Sequence, residues 1–150
     1  MKGFTRKDTF LSLCGLNCAL CPMSLGGYCG GCGNGNQSCS LARCSLEHGG
    51  VEYCFRCPDY PCEKYEGIDD YDSFITHRRQ LSDIERAREM GPENYGLEQR
   101  EKAQILARLL ESYNDGRKKS FYCLAVNLLE LPELREAMAV SYTHLTLPTT

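Results

Sequence analysis

No apolar run in this 150-residue chain approaches the roughly 18 residues of a membrane-spanning helix. No secretory leader is expected either. The basic start, Met1 to Lys7, is followed only by Phe10-Leu11 and Leu13, interrupted by Ser12. That is far short of a leader's apolar segment. Leu11-Ser12-Leu13-Cys14 has the letters of a lipoprotein cleavage site without that segment. These absences predict a cytoplasmic protein with reduced thiols and no membrane association. Basic charge is also scarce. The net charge is −3, with five Lys/Arg and four Asp/Glu in residues 1–62 and twelve and sixteen in the remainder. The one basic run, Arg117-Lys118-Lys119, reads as a solvated helix start. Nucleic acid is therefore not expected as a partner. No Ser-His-Asp set, phosphate loop, partnered pair of carboxylates, internal repeat or low-complexity tract is visible. This points away from an enzyme.

What the chain does have is cysteine. Ten of its eleven cysteines fall in the 49 residues from Cys14 to Cys62. Such a segment is not built around an ordinary apolar core, so disulfides, zinc or an iron–sulfur cluster must cross-link it. Disulfides need an oxidising compartment, and eleven cysteines leave one unpaired in any full set. The order is Cys14-x3-Cys18-x2-Cys21-x7-Cys29-x2-Cys32-x6-Cys39-x4-Cys44-x9-Cys54-x2-Cys57-x4-Cys62. Three pairs, Cys18/Cys21, Cys29/Cys32 and Cys54/Cys57, have C-x2-C spacing. Tetrahedral zinc with Zn–S near about 2.3 Å places its sulfurs about 3.8 Å apart, and two cysteines flanking a tight turn reach that separation. Glycines around Cys29 and Cys32 permit such a turn, and Pro22 and Pro58 fix the exit of the other two pairs.

All ten are candidate metal ligands: Cys14, Cys18, Cys21, Cys29, Cys32, Cys39, Cys44, Cys54, Cys57 and Cys62. Two zinc ions are expected. The contiguous run Cys29, Cys32, Cys39 and Cys44 is the first choice for one site, and four of the other six for the second, although the sites could interleave. Two four-thiolate zinc sites would move the net charge to about −7. His48, four residues after Cys44, is an alternative ligand. The leading alternative metal group is an iron–sulfur cluster for electron transfer or for the partner of a redox enzyme, because an all-thiolate set suits both metals. Cys14-x3-Cys18-x2-Cys21 has the spacing of radical S-adenosylmethionine enzymes, but Leu20 stands where they usually have an aromatic. No strand–helix succession for their barrel follows. A thioredoxin-like redox pair lacks its βαβ surroundings. The fungal binuclear zinc cluster is matched only in its first half.

C-G-L-N-C-A-L-C-P at Cys14–Pro22 is followed by C-G-G-C-G at Cys29–Gly33, by Cys39-x4-Cys44, and by the run from Glu52 to Lys64 containing C-F-R-C-P-D-Y-P-C-E. This resembles the cysteine-rich bacterial and archaeal family grouped as domain of unknown function 3795. The likeness covers residues 13–66, and its motifs occur in order. The stretch from Thr76 to Gly91 also resembles the helical part that follows in that family. The gap between Cys21 and Cys29 is short here, where longer members carry a helical insertion. The resemblance implies metal binding, taken to be zinc, and implies no biochemical activity.

Beyond Cys62 the pattern becomes helical. Asp72 or Ser73 is expected to cap a helix carrying Phe74, His77, Leu81, Ile84, Ala87 and Met90 inward, ended by Gly91-Pro92. His77 reads as a packed histidine. The acidic run Asp69 to Asp72 reads as favourable charge before that helix. A second helix is predicted from Glu93 or Leu97 to Tyr113, with Ala103, Leu106, Leu109, Leu110 and Tyr113 on its apolar face. Asn114-Asp115-Gly116 marks a turn. A third helix from Lys118 is expected to bury Phe121, Leu124, Ala125, Leu128 and Leu129, with Cys123 as a buried free thiol. Pro132 can open a fourth. Residues 140–150, Val140 to Thr150, show no helical period and no charge. Back-translated, they resemble a transposon end and sequencing adapter, so a non-native tail is expected after Ala139.

The predicted organisation is thus a metal-stabilised, cysteine-rich module with little regular structure at 1–66, an all-α segment of three to four helices packed on it at 67–139, and the tail at 140–150. The function that fits is a zinc-binding, binding or regulatory module acting on a protein partner that the sequence does not name.

Overall fold

The computed structural model describes residues 2–34 and 38–146, with side chains as far as residue 140. Among the described residues there are six α-helices and no strand. They are α1 (Pro22–Leu25), α2 (Ser40–Glu47), α3 (Gln80–Met90), α4 (Pro92–Ser112), α5 (Lys119–Leu128) and α6 (Leu131–Thr146). Single 3-10 turns occupy Cys18–Leu20, Cys54–Arg56 and Glu63–Tyr65. The first two of these turns start at the first cysteine of a C-x2-C pair. Between residues 2 and 66 the only α-helices described are the single turn of α1 and the eight residues of α2.

The helical half follows its sequence signals at most boundaries. Gly91 ends α3, and Pro92 opens α4, where its missing N–H has no intrahelical partner in any case. After α4, the Asn114 side-chain oxygen accepts from the amides of Gly116 and Lys118, both at 3.1 Å, and turns the chain into α5. The start of α3 differs from expectation. Asp72 does not cap a helix at residue 73, and α3 begins at Gln80. The Asp72 carboxylate instead accepts the His77 amide at 2.9 Å and the Thr76 hydroxyl at 3.3 Å. A local side-chain bond of this kind competes with the helical ladder. Phe74 consequently stands 71% exposed, while Ile75 and Thr76 are buried. His77 is half-buried, donating from Nδ1 to the Ile68 carbonyl at 3.1 Å and meeting the Ser73 hydroxyl at Nε2.

The inward face of α5 is also corrected. Its buried residues are Cys123 and Val126, while Phe121 and Leu124 face outward. The helix is apolar on both sides, so periodicity alone could not choose the side that docks. Cys123 is buried as expected, and burial, with a smaller contribution from Cys21, pushes its thiol up to about 11. The backbone of α6 continues helical to Thr146, past the expected boundary at Ala139, since each added residue gains a hydrogen bond once a helix is nucleated. Residues 147–150 of the expected tail lie outside the described residues.

Two apolar cores hold the chain. One gathers Phe4, Leu11, Leu13, Leu41, Ala42, Tyr65, Ile84, Ala87 and Tyr95, with Cys14, Cys32, Cys39, Cys54 and Cys62 packed around it. The other gathers Ile105, Leu106, Cys123, Val126, Leu131, Leu134 and Met138 from α4, α5 and α6, together with Leu20 from the first cysteine turn. Burying a leucine of this kind contributes roughly 2 kcal/mol. Asn17 adds a polar tie beside Leu20. Its Oδ1 caps the turn by accepting from the Ala19 amide, and its Nδ2 donates to Gln99 on α4 at 3.0 Å. Gly15 lies against α3 so closely that a Cβ would stand 2.4 Å from the Gln80 carbonyl oxygen, and its φ is +88°. The glycine of C-G-L-N-C is therefore required by packing as well as by backbone conformation.

Candidate metal centres

The first group of thiols forms where the N-terminal loop meets the Cys29–Gly33 loop. The Cys18–Leu20 turn directs Cys18 and Cys21 to one side, with the Cys21 amide donating back to the Cys18 carbonyl at 3.3 Å. Burial pushes the Cys18 thiol up to about 11, and the negative charges of Cys32, Cys14 and Cys21 add to the shift, opposed by a hydrogen bond from the Cys32 backbone. Burial and the Cys14 charge likewise raise Cys32, opposed by the Leu13 amide and by the cation of Arg6. Ser12 Oγ lies 3.1 Å from Cys14 Sγ. Cys18 is thus close enough to Cys14, Cys21 and Cys32 to feel their charge, although no three of these sulfurs lie within 4.8 Å of one another. Gly33 is part of its wall: φ is +102°, and a Cβ there would sit 2.5 Å from the Arg6 amide nitrogen.

The second group lies between α2 and the Cys54–Cys62 loop. Cys44 projects from α2, and Cys54 and Cys57 bracket a 3-10 turn closed by the Cys57 amide on the Cys54 carbonyl at 2.9 Å. Cys44, Cys54, Cys57 and Cys62 line one half-open pocket of about 30 Å³, room for an ion or a water or two. Leu41, Val51 and Tyr60 complete much of its wall. Burial raises the Cys44 thiol, and the charges of Cys62 and Cys57 raise it further against the pull of Lys64. Burial also raises Cys54, with Cys44 and Cys62 adding to the effect. Burial and then the hydrogen bond to Glu85 bring Tyr60 up to about 12. At the lip of the pocket, one ligand atom each from His48, Cys57 and Asp59 all lie within 4.8 Å of one another.

These groupings differ from the contiguous run Cys29, Cys32, Cys39 and Cys44. Cys32 joins the N-terminal cysteines, and Cys44 joins the last three. The reason is geometric: the chain passes from one loop cluster to α2 between residues 32 and 44, so neighbours in sequence are carried to different sites. Cys29 is exposed, with its sulfur accepting from the Gly31 amide at 3.4 Å. Cys39 precedes the first residue of α2 without a side-chain capping hydrogen bond and packs against the first core.

Sequence reasoning missed four residues that build these sites. Arg6 is buried and donates to the carbonyls of Glu52 and Leu11, both at 2.7 Å from Nη2, pinning the N-terminal segment to the chain just before Cys54. Tyr65 donates to the Leu13 carbonyl at 2.6 Å, tying the closing motif to the opening one. Asn17 and Asp59 are the others. Arg6 gave no signal, because a lone arginine near a basic start reads as solvated. Asp59 stands two residues after Cys57, which is the one clue the sequence offered.

Among the described residues, neither four-cysteine group brings three of its sulfurs within 4.8 Å of one another; the set of ligand atoms that does come that close is His48, Cys57 and Asp59. Burial raises the thiols of Cys18, Cys32, Cys44 and Cys54, a cost that a nearby cation would lower. Among known proteins, no family model, curated sequence or solved structure matches this chain.

Proposed function

We propose that the chain is a zinc-stabilised binding or regulatory module with no catalysis of its own. One ion would be held by Cys14, Cys18, Cys21 and Cys32, and the other by Cys44, Cys54, Cys57 and Cys62. The observation that carries this reading is the pocket lined together by Cys44, Cys54, Cys57 and Cys62; the electrostatic influence of Cys14, Cys21 and Cys32 on Cys18 supports the first set. Four thiolates close a tetrahedral site and leave no position for a substrate, so the ions would act on folding. Each would contribute roughly 10–16 kcal/mol of apparent binding free energy, which the loop half needs because it has little regular structure. The ordered motifs support membership of the domain-of-unknown-function family that residues 13–66 resemble. With about −7 net charge when loaded, the module would address a protein partner in the cytoplasm rather than nucleic acid. No helix among the described residues is long and apolar enough to cross a membrane. Residues 140–150 are read as adapter-derived and given no role.

Metal analysis of protein purified anaerobically tests the reading. Two zinc ions per chain in a colourless sample are expected. A brown sample carrying iron and acid-labile sulfide would replace zinc with the iron–sulfur alternative, and a metal-free folded sample would end both.

A further inference from the structure

The pocket lip carries a feature that a closed four-thiolate site does not use. His48 is the residue at which α2 ends, and its backbone amide donates to the Cys44 carbonyl at 3.1 Å. Its Nδ1 lies 2.8 Å from that same carbonyl oxygen. A carbonyl can only accept, so Nδ1 donates to it, and Nε2 is the ring nitrogen left for a further partner. Nε2 faces Asp59 Oδ2 at 3.7 Å, beyond hydrogen-bond length. The Cys57 sulfur completes the group, with all three ligand atoms within 4.8 Å of one another. Three ligand atoms gathered this closely are stabilised when a proton or a cation lies between them. Fixing one ring nitrogen on a backbone carbonyl is also the usual way a protein sets a metal-binding histidine.

We infer that His48, Cys57 and Asp59 form a third, solvent-facing site for a borderline divalent cation such as zinc or cobalt(II). It is chemically unlike the other two. One nitrogen, one sulfur and one oxygen ligand leave a fourth tetrahedral position open to water or to a donor group from a partner, the arrangement of exchangeable rather than structural sites. Its side chains are accessible, at 40% exposure for His48 and 74% for Asp59. Cys57 is common to this site and the pocket behind it, and a thiolate has lone pairs enough to bridge two cations. In sharing Cys57, the inference rests on the two-zinc reading for its occupancy but not for its geometry.

The test uses the full chain, dialysed in reducing buffer to its tightly held metal and then titrated with cobalt(II). The expected result is one further cobalt per chain, with thiolate-to-cobalt absorption in the near ultraviolet. The double variant His48→Gln, Asp59→Asn should weaken that binding at least tenfold, with tight metal content and far-ultraviolet circular dichroism unchanged. Equal cobalt binding by the variant would overturn the site, as would no further cobalt in the parent protein, which would leave His48 and Asp59 as an ion pair only. Loss of a tightly held zinc from the variant would also overturn it, making His48 a ligand of the closed site. If the parent protein holds no tight zinc yet takes one cobalt in a His48-dependent manner, the two-zinc reading fails and the third site stands.

Discussion

The two halves of this chain solve the same problem by different means. In the helical half, backbone polar groups are satisfied within α3 to α6, leaving side chains free to pack the second core. In the loop half, side chains do that work. Arg6 donates to the carbonyls of Glu52 and Leu11, Glu52 accepts the amides of Lys7 and Asp8, Asp8 accepts those of Phe10 and Leu11, and Ser45 donates to the Val51 carbonyl. Every buried backbone group needs a partner, and a chain without helix or sheet must find each one separately. These bonds order loops that also bury Phe4, Leu11, Leu13, Leu41 and Tyr65 in the first core. Under the proposed function, a cation would add its order to the loop half.

The largest effect should come from the thiols. Cys18→Ser removes a half-buried thiol proposed as a ligand in the first group and is expected to cost one zinc per chain and the protease resistance of residues 1–66. Cys29→Ser, at an exposed position outside both groups, should leave metal content unchanged. Metal analysis with limited proteolysis reads both variants, and equal zinc content in the two would erase the distinction between ligand and spare cysteine.

Next comes the residue that joins the halves. Leu20 is 1% exposed and stands in the helical core although it belongs to a cysteine turn. Leu20→Ala should cost about 2–5 kcal/mol in urea unfolding of the metal-loaded protein. Phe121→Ala, on the outward face of α5, should stay within about 0.5 kcal/mol. A small effect at Leu20 would mean that the halves are stabilised independently.

Gly15→Ala should fall between these. Left-handed φ and the contact with the Gln80 carbonyl together predict a loss of about 1–3 kcal/mol, read in the same unfolding experiment.

The smallest effect should lie in the ion pairs of the helical half. Arg79 reaches Asp83 and Glu130, and Arg86 reaches Glu98 at 2.8 Å. The hydrogen bond from Arg79 lowers the Glu130 carboxyl below its ordinary value of 4.5. Its stabilisation is therefore full above that value and is lost as pH falls through the lowered one. Burial raises Asp83 despite Arg79, Lys102 and Arg86, so protonating it on acidification relieves a cost. The two signs oppose each other, and stability near pH 4 should change little on this account. Glu130→Gln should cost about 0.5–1 kcal/mol at neutral pH, since the carboxylate is half-exposed.

How far the sequence could be read follows from the kind of order each half has. The ends of α3 and α4 were legible because Gly91-Pro92 and Asn114-Asp115-Gly116 act through their own backbone chemistry. The start of α3 was not, because Asp72 serves a helix cap or a local turn equally well, and only Ile75 and Thr76 finding a buried place decides between them. The side of α5 that docks was hidden by apolar residues on both faces. In the loop half, the identity of the candidate ligands was plain from spacing, whereas their grouping was not. Spacing reports which thiols flank a turn, and grouping depends on which turns are brought together by Arg6, Asn17 and Tyr65.

The most direct test of the central claim, that metal holds the loop half while burial holds the helices, is region-resolved amide hydrogen exchange before and after verified metal removal in reducing buffer. The account expects amides between Cys14 and Cys62 to lose protection while the central turns of α4 and α5 keep most of theirs. Unchanged protection of the loop half in metal-free protein would contradict it.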